Sequence, residues 1–432
     1  MRDRFWVLVA LVVAAVVLAP MSAGAGGPDG PLHSGTAGDH LDTSPSGPLG
    51  STSDGNGPPD SALVEMANQL AAEFGVGADA ALARLRHQEA VAPLIAKWRR
   101  QHPEAFGGAY HADGFATRTT VRWVGQVPAS IVAEIEQSGL AIGLDATATA
   151  SQAALVGMTR AIAQALHDAG STDFAVAPNI RTQRIDVILG VTDETSANAS
   201  EFERTIRELE TSTIGVGVSR VTEGPFTPDT AQGGTVGSTK SDGSDIECTF
   251  SFGVRSGSTY GLLAAGHCAN TLYYVDPVSA STTALTLRDE YAGYYGDFAW
   301  YSYSGTVQPK FYAGSGTSNL RTVTSVKSAS AIAIGDYYCK FGRASNRPDC
   351  NNVKYTDVCH NGDSLVCSQV RMRSVYGAGG DSGGPWYSGT QAVGINTGRY
   401  GSGGVSSTTN SEHAFTPVSL AADELGVQVL TR

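Results

Sequence analysis

Gly380-Asp381-Ser382-Gly383-Gly384-Pro385 sets one hydroxyl inside a run of glycines. Glycine reaches backbone conformations closed to other residues, and it leaves no side chain in the path of an approaching molecule. A serine hydroxyl is a weak nucleophile until a neighbouring base takes its proton. In so tight a turn the amides of Gly380 and Ser382 can point together at a developing oxyanion, often a large term in acyl transfer. Alone, the hexapeptide reads equally well as a turn in a chain with 52 glycines among 432 residues. The two readings part on whether the chain also supplies a base and a group to orient it. Leu263-Ala264-Ala265-Gly266-His267-Cys268 offers an imidazole, whose ordinary pKa near ~6.5 suits proton transfer at neutral pH. Gly296-Asp297-Phe298-Ala299-Trp300 offers a carboxylate ahead of an apolar run, as at the start of an inward-facing strand. The competitors are weaker. Asp276 and Asp289 fall in polar segments that read as turns, His360 lies between cysteines in an expected surface loop, and His413 has no motif around it.

In chain order the blocks run His, Asp, Ser. Together they resemble the chymotrypsin-like serine proteases, and specifically the secreted bacterial branch of streptogrisins and alpha-lytic protease. Phe415-Thr416-Pro417-Val418, leading into a short apolar tail, adds to the likeness. The resemblance spans roughly the last 200 residues. It implies two six-stranded antiparallel β-barrels with the site in the cleft between them. Ser382 would be the nucleophile, His267 its general base and then acid, and Asp297 the group that holds the imidazole tautomer. Gly380 and Ser382 would form the oxyanion hole.

Further roles come from the same resemblance. Asp381 would be buried beside the nucleophile and need a cation. The matching position after Cys339 is Lys340, where the family usually has arginine, and Arg343 is the alternative partner. Lysine keeps the charge but loses the two-pronged geometry. Tyr376 stands where trypsin-like members carry the aspartate that selects Lys or Arg, so such selectivity is not expected. Thr397-Gly398-Arg399 resembles the strand that pairs with substrate backbone and forms a pocket wall. Arg399 replaces the family's glycine, and three readings stay open: it narrows the pocket, it attracts an acidic group, or it faces solvent.

All six cysteines (Cys248, Cys268, Cys339, Cys350, Cys359 and Cys367) fall after residue 240. With an export signal, their even number implies three disulfides. No Cys-x-x-Cys pair occurs to suggest a metal site, and neither metal nor cofactor is expected. Six cysteines allow 15 pairings. Family resemblance and closeness in sequence favour Cys248–Cys268, Cys339–Cys350 and Cys359–Cys367.

The rest of the chain must deliver and position this region. Arg2-Asp3-Arg4, the apolar run Phe5 to Ala19 and the pattern Ala23-Gly24-Ala25 read as a secretory signal over 1–25. The run is shorter than the about 20 residues of a membrane span, so no membrane attachment is expected after its removal. Residues 26–59 are rich in Gly, Ser, Pro, Asp and Thr and read as a disordered leader.

From 60 to 228 helix and strand patterns alternate, as in an α+β domain. A helix starts near Asp60 with Leu63, Met66, Ala67 and Leu70 on one face. A second runs from Asp79 towards Arg100, interrupted at Pro93, with Arg84, Arg86, Lys97, Arg99 and Arg100 on a solvated face. Leu140 to Leu144 reads as a strand, Ser151 to Ala169 as a capped amphipathic helix, and Ile185 to Leu189 as a paired strand. By layout this part resembles the propeptides of the same family, acting in cis as folding template and inhibitor. After 229 the helical period nearly vanishes, and short β-rich runs follow one another between turns.

The net charge of −12 lies almost wholly before residue 231, and no basic patch points to nucleic acid. The expected protein is therefore a secreted, extracellular, monomeric serine endopeptidase acting on polypeptides. A serine esterase or other acyl hydrolase would more typically carry Gly-x-Ser-x-Gly and the order Ser, Asp, His. A non-catalytic binding protein on the same fold has no support in residues that retain the whole triad.

Overall fold

The computed structural model describes residues 60–190, 199–209, 211, 213–220, 226–228, 235–244, 248–277, 279–314, 319–362, 364–400 and 409–432. The expected signal and leader lie outside them. Among the described residues no helix is long and apolar enough to cross a membrane.

Two helices open the described chain, α1 (Asp60–Phe74) and α2 (Ala78–Gln101). Leu63, Met66 and Leu70, spaced three and four apart, are all buried. Burying each side chain is worth about 1.5–3 kcal/mol. They join one apolar cluster with Phe252, Val254, Leu263 and Phe298, nearly 200 residues or more later in the chain. Helix α2 runs unbroken through Pro93. The expected interruption does not occur, because Val91, Ala92, Ile95, Ala96 and Trp98 around it are all buried, and this packing outweighs the roughly 3 kcal/mol that an interior proline costs. The expected solvated face is also corrected at two positions. Arg84 is fully buried and donates to the Gly335 carbonyl at 2.6 Å, and Arg99 pairs with Asp357 at 3.1 Å.

Strands β1 (Phe106–His111), β2 (Thr119–Val124) and β3 (Ile142–Ala148) form a three-stranded sheet, with α3 (Ala129–Ser138) between the last two. The third strand begins two residues later than its apolar pattern suggested. Helix α4 (Gln152–Asp168) starts at Ser151, whose hydroxyl accepts from the Ala154 amide. Strands β4 (Phe174–Asn179) and β5 (Arg184–Leu189) pair antiparallel. After α5 (Ala199–Leu209), β6 (Gly215–Arg220) pairs parallel to β5. The short β7 (Phe226–Pro228) follows.

The next stretch holds β8 (Thr235–Ser238), β9 (Cys248–Phe250), β10 (Gly253–Ser256), β11 (Thr259–Ala264), β12 (Tyr273–Val275), β13 (Thr282–Ala284), β14 (Thr286–Gly293) and β15 (Gly296–Ser302). They pair as a four-stranded sheet, β13-β12-β8-β9, and a five-stranded sheet, β14-β15-β11-β10, that takes a further strand from the chain's end. A second closed six-stranded barrel was expected here. Among the described residues no ladder closes the ring. At the corner between β9 and β10 the chain bonds singly, through Ser251 to Leu263 and Leu263 to Phe252. Phe250, Ala264, Leu272 and Tyr301 fill the space between the sheets.

Short strands β16 (Lys310–Tyr312), β17 (Leu320–Thr322) and β18 (Ser325–Val326) lead to the second half. There β19 (Tyr337–Gly342), β20 (Arg347–Asn361), β21 (Leu365–Gly377), β22 (Pro385–Ser388), β23 (Gln391–Tyr400) and β24 (Thr409–Pro417) pair antiparallel in the order β19-β22-β23-β24-β21-β20. Pairing of β20 with β19 closes this barrel. Helix α6 (Val418–Glu424) follows, and β25 (Gln428–Val429) returns to β10.

The early and late parts of the chain share sheets. Strand β4 pairs with β20 at Cys359↔Val176 and His360↔Ala175, so β4-β5-β6 extends the barrel's long hairpin. Strand β7 lies antiparallel on β23, with Pro228 opposite Gly398, Thr227 opposite Arg399 and Phe226 opposite Tyr400. The bonded cysteine pairs are Cys248–Cys268, Cys339–Cys350 and Cys359–Cys367. The last ties β20 to β21 at the end that receives β4.

Candidate active site

His267 sits just beyond the end of β11, beside Cys268 and its bridge to β9. Its backbone amide donates to Asp297 Oδ1 at 3.0 Å, and its Nδ1 lies 2.7 Å from Asp297 Oδ2. Both carboxylate oxygens of Asp297 thus engage the same residue, which fixes the ring's position as well as its tautomer. Gly266 is needed for this approach, since a Cβ there would lie 2.8 Å from Asp297 Oδ1 and 2.4 Å from the Tyr291 carbonyl. On its other side, His267 Nε2 is 2.8 Å from Ser382 Oγ. The connected run Ser382–His267–Asp297 joins β11, β15 and the turn after β21.

Asp297 is 2% exposed and opens β15, as the apolar run after it implied. Its amide donates to Thr416 Oγ1 at 2.9 Å, and Gln369 Nε2 donates to the same hydroxyl at 2.7 Å. Thr397 Oγ1 in turn donates to Gln369 Oε1 at 2.7 Å. Threonine and glutamine therefore hold the carboxylate's strand from behind. Sequence reasoning missed Gln369 altogether, because nothing near it in the chain reveals that β21 brings it under β15. Thr416 belongs to a block noted for resemblance, but its role depends on register.

The serine turn is held equally firmly. Thr249 donates its amide to the Ser382 carbonyl at 2.6 Å and its hydroxyl to the Gly380 carbonyl at 3.0 Å. Asn396 Nδ2 donates to the Asp381 carbonyl at 3.1 Å. Gly380 adopts φ +113°, which side chains rarely tolerate. Asp381 is 1% exposed and meets Lys340 Nζ at 2.8 Å. It also accepts from the amides of Ser345 and Ala378. Arg343 points elsewhere, its guanidinium donating to Asn346 at 3.4 Å.

Six other named positions resolve as follows. Thr397 presents its carbonyl 3.5 Å from Ser382 Oγ, and Gly398 and Arg399 continue β23 beneath β7. Arg399 is buried, so the solvent-facing reading is corrected. Tyr376 donates its amide to Asp349, and its ring lies under the Arg347 guanidinium. His360, expected in a surface loop, is buried on β20, because the long hairpin is covered by β4 and α4. Burial pushes its pKa down to about 3. His413 is buried on β24 and is also held well below its ordinary value, first by burial and then by the cations Lys340 and Arg399. Among the described residues no group of three His, Cys, Asp or Glu side chains could hold a metal.

No family model matches the chain. A curated relative does: it is 24% identical to streptogrisin-C of Streptomyces griseus over 377 residues, covering 86% of this chain and 76% of that one. The chain is similar to bacterial chymotrypsin-like serine proteases. The chain is also 28% identical to serine protease 1 of Streptomyces fradiae over 253 residues, 58% of its own length and 64% of the relative's. Among solved structures, Thermobifida fusca protease A is 26% identical with a TM-score of 0.38, covering 47% of this chain and 99% of that one.

Proposed function

We propose that this protease is a secreted serine endopeptidase, made as a preproenzyme, in which Ser382, His267 and Asp297 act as one catalytic unit. The observation that carries the reading is the hydrogen-bonded run from Ser382 Oγ through both His267 nitrogens to a buried Asp297. His267 Nε2 takes the proton of Ser382 as Oγ bonds to the substrate carbonyl carbon. The imidazolium so formed is stabilised by Asp297 and then gives its proton to the leaving amine. Water repeats the sequence on the acyl-enzyme. The amides of Gly380 and Ser382 receive the oxyanion, and Lys340 keeps Asp381, and with it this turn, in place.

Residues 60–228 act as a propeptide in cis. Two observations favour this. β7 occupies the strand where an extended substrate would pair, as an inhibitor does, and β4 adds to the hairpin of the closed barrel, as a folding template does. Barrels built from distant pairings fold slowly, and a covalent template lowers that barrier. The experiment is covalent labelling of processed protein with a fluorophosphonate. Labelling at Ser382, lost in Ser382→Ala together with peptide hydrolysis, is expected. Full peptidase activity in Ser382→Ala would overturn the assignment, and cleavage of esters but not peptides would favour an acyl hydrolase.

A further inference from the structure

The run Ser382–His267–Asp297 is assembled from two halves of the molecule. His267 and Asp297 come with β11 and β15, and Ser382 with the turn after β21 of the closed barrel. Their distances therefore depend on what holds β15 against that barrel. At Asp297 itself this is Thr416 of β24. A hydroxyl has one hydrogen and two lone pairs. Thr416 Oγ1 donates to the Asp297 carbonyl at 3.2 Å and accepts the Asp297 amide at 2.9 Å, so one lone pair remains. Gly296 permits this approach, since a Cβ there would lie 2.4 Å from Thr416 Cγ2.

Gln369 fills the last position. Its Nε2 donates to Thr416 Oγ1 at 2.7 Å, and its Oε1 accepts the Thr397 hydroxyl at 2.7 Å. Nε2 also lies 3.4 Å from the Cys367 carbonyl. These partners set the amide's orientation: Thr416 has no hydrogen left to give, so the nitrogen must face it. Thr397 falls at a break in the β23–β24 register, between Asn396↔Phe415 and Gly398↔Ala414. Such a bulge interrupts regular pairing and re-aims a side chain, so the ladder alone does not fix Thr397. Its carbonyl nevertheless lies 3.5 Å from Ser382 Oγ. Gln369, Thr397 and Thr416 are all buried, and a buried network with every member satisfied imposes one arrangement.

We propose that Gln369 is a positioning residue for the proteolytic reaction: it ties Thr416, behind Asp297, to Thr397, beside Ser382, and so holds the orienting acid and the substrate strand in one frame. The proposal rests on the reading of Ser382, His267 and Asp297 as the catalytic unit. Gln369 touches neither substrate nor the reacting atoms, and it acts only through the two threonines.

The test uses the full chain, expressed and processed, with peptide hydrolysis normalised to the sites that a fluorophosphonate labels at Ser382. Gln369→Met has a similar length and makes neither hydrogen bond. Its kcat per labelled site should fall by more than about tenfold, since a displacement of about 1 Å can cost about 10²-fold, while KM rises by a smaller factor. A residue that served folding alone would lower the thermal midpoint and the number of labelled sites but leave kcat per site unchanged. Gln369→Asn, an amide one methylene too short to reach both hydroxyls, should show the same loss and decides the matter if Gln369→Met does not fold. Thr416→Val should lose kcat as the Gln369 variants do, and Thr416→Ser, which keeps the hydroxyl, should retain most of it. An unchanged kcat per labelled site in a folded Gln369 variant, or a loss in Thr416→Val that neither Gln369 variant shares, would overturn the positioning role while labelling upheld the nucleophile. Absence of labelling at Ser382 in the unaltered protein would overturn both.

Discussion

Two oxygens of one carboxylate hold the backbone and the ring of His267, so Asp297 does more than balance charge. Asp297→Asn would present an amide donor where Nδ1–H must donate, favouring the wrong tautomer. A fall in kcat of about 10⁴ is expected, as in the worked template of the triad, and steady-state kinetics would check it. Under the proposed mechanism the three residues act together, so the double variant His267→Ala, Ser382→Ala should be hardly worse than either single change. Strictly additive losses would contradict a shared mechanism. Lys340 acts at one remove. Lys340→Met leaves Asp381 buried without its cation, an arrangement that typically costs about 3–5 kcal/mol. The serine turn should then shift, lowering kcat more than it raises KM. An unchanged kcat in a folded Lys340→Met variant would show that the ion pair does not govern the turn.

At the scale of elements, β20 and β23 are each joined by a strand from before residue 229. The β4–β20 ladder is only two residue pairs long, yet it lies at the Cys359–Cys367 bridge, where β20 would otherwise present an unpaired edge. Residues 231–432 expressed alone are therefore expected to give little active enzyme, and residues 60–228 added in trans should restore it. Unaided recovery of full activity by the short chain would sink the template role.

For the whole molecule, stability includes a contribution from a histidine buried in the early part of the chain. His87 on α2 is buried against Thr119, and burial, with His111 and Arg84 nearby, pushes its pKa down to about 4. The unfolded chain takes up a proton near ~6.5 that the folded one refuses until about 4. Stability from this group is thus present above ~6.5 and falls as pH drops through that window. Thermal midpoints of the inactive Ser382→Ala chain, measured at pH 7 and 4.5, should drop on acidification. The drop should be smaller when His87→Gln is added. An equal drop in both chains would show that His87 does not carry the effect.

The chain by itself made legible the three residues that the structure brings into one hydrogen-bonded run, Ser382, His267 and Asp297. These three sit in short blocks whose glycines and apolar neighbours are required locally, so their meaning survives without the fold. The capped helix from Ser151 and the apolar face of Leu63, Met66 and Leu70 were legible for the same reason, since caps and periodicity are properties of neighbours in sequence. What is set by residues far apart in the chain was not. Arg84 read as a surface charge because its acceptor, the Gly335 carbonyl, is 251 positions away. His360 read as a loop residue because β4 and α4, which bury it, come some 180 residues earlier. Pro93 read as a break because the packing that keeps α2 whole comes from other elements. Gln369 has no signature at all, and the sequence singled out Thr416 and Arg399 without showing what they face: only strand register decides which side chains share a face, and register is settled by tertiary pairing.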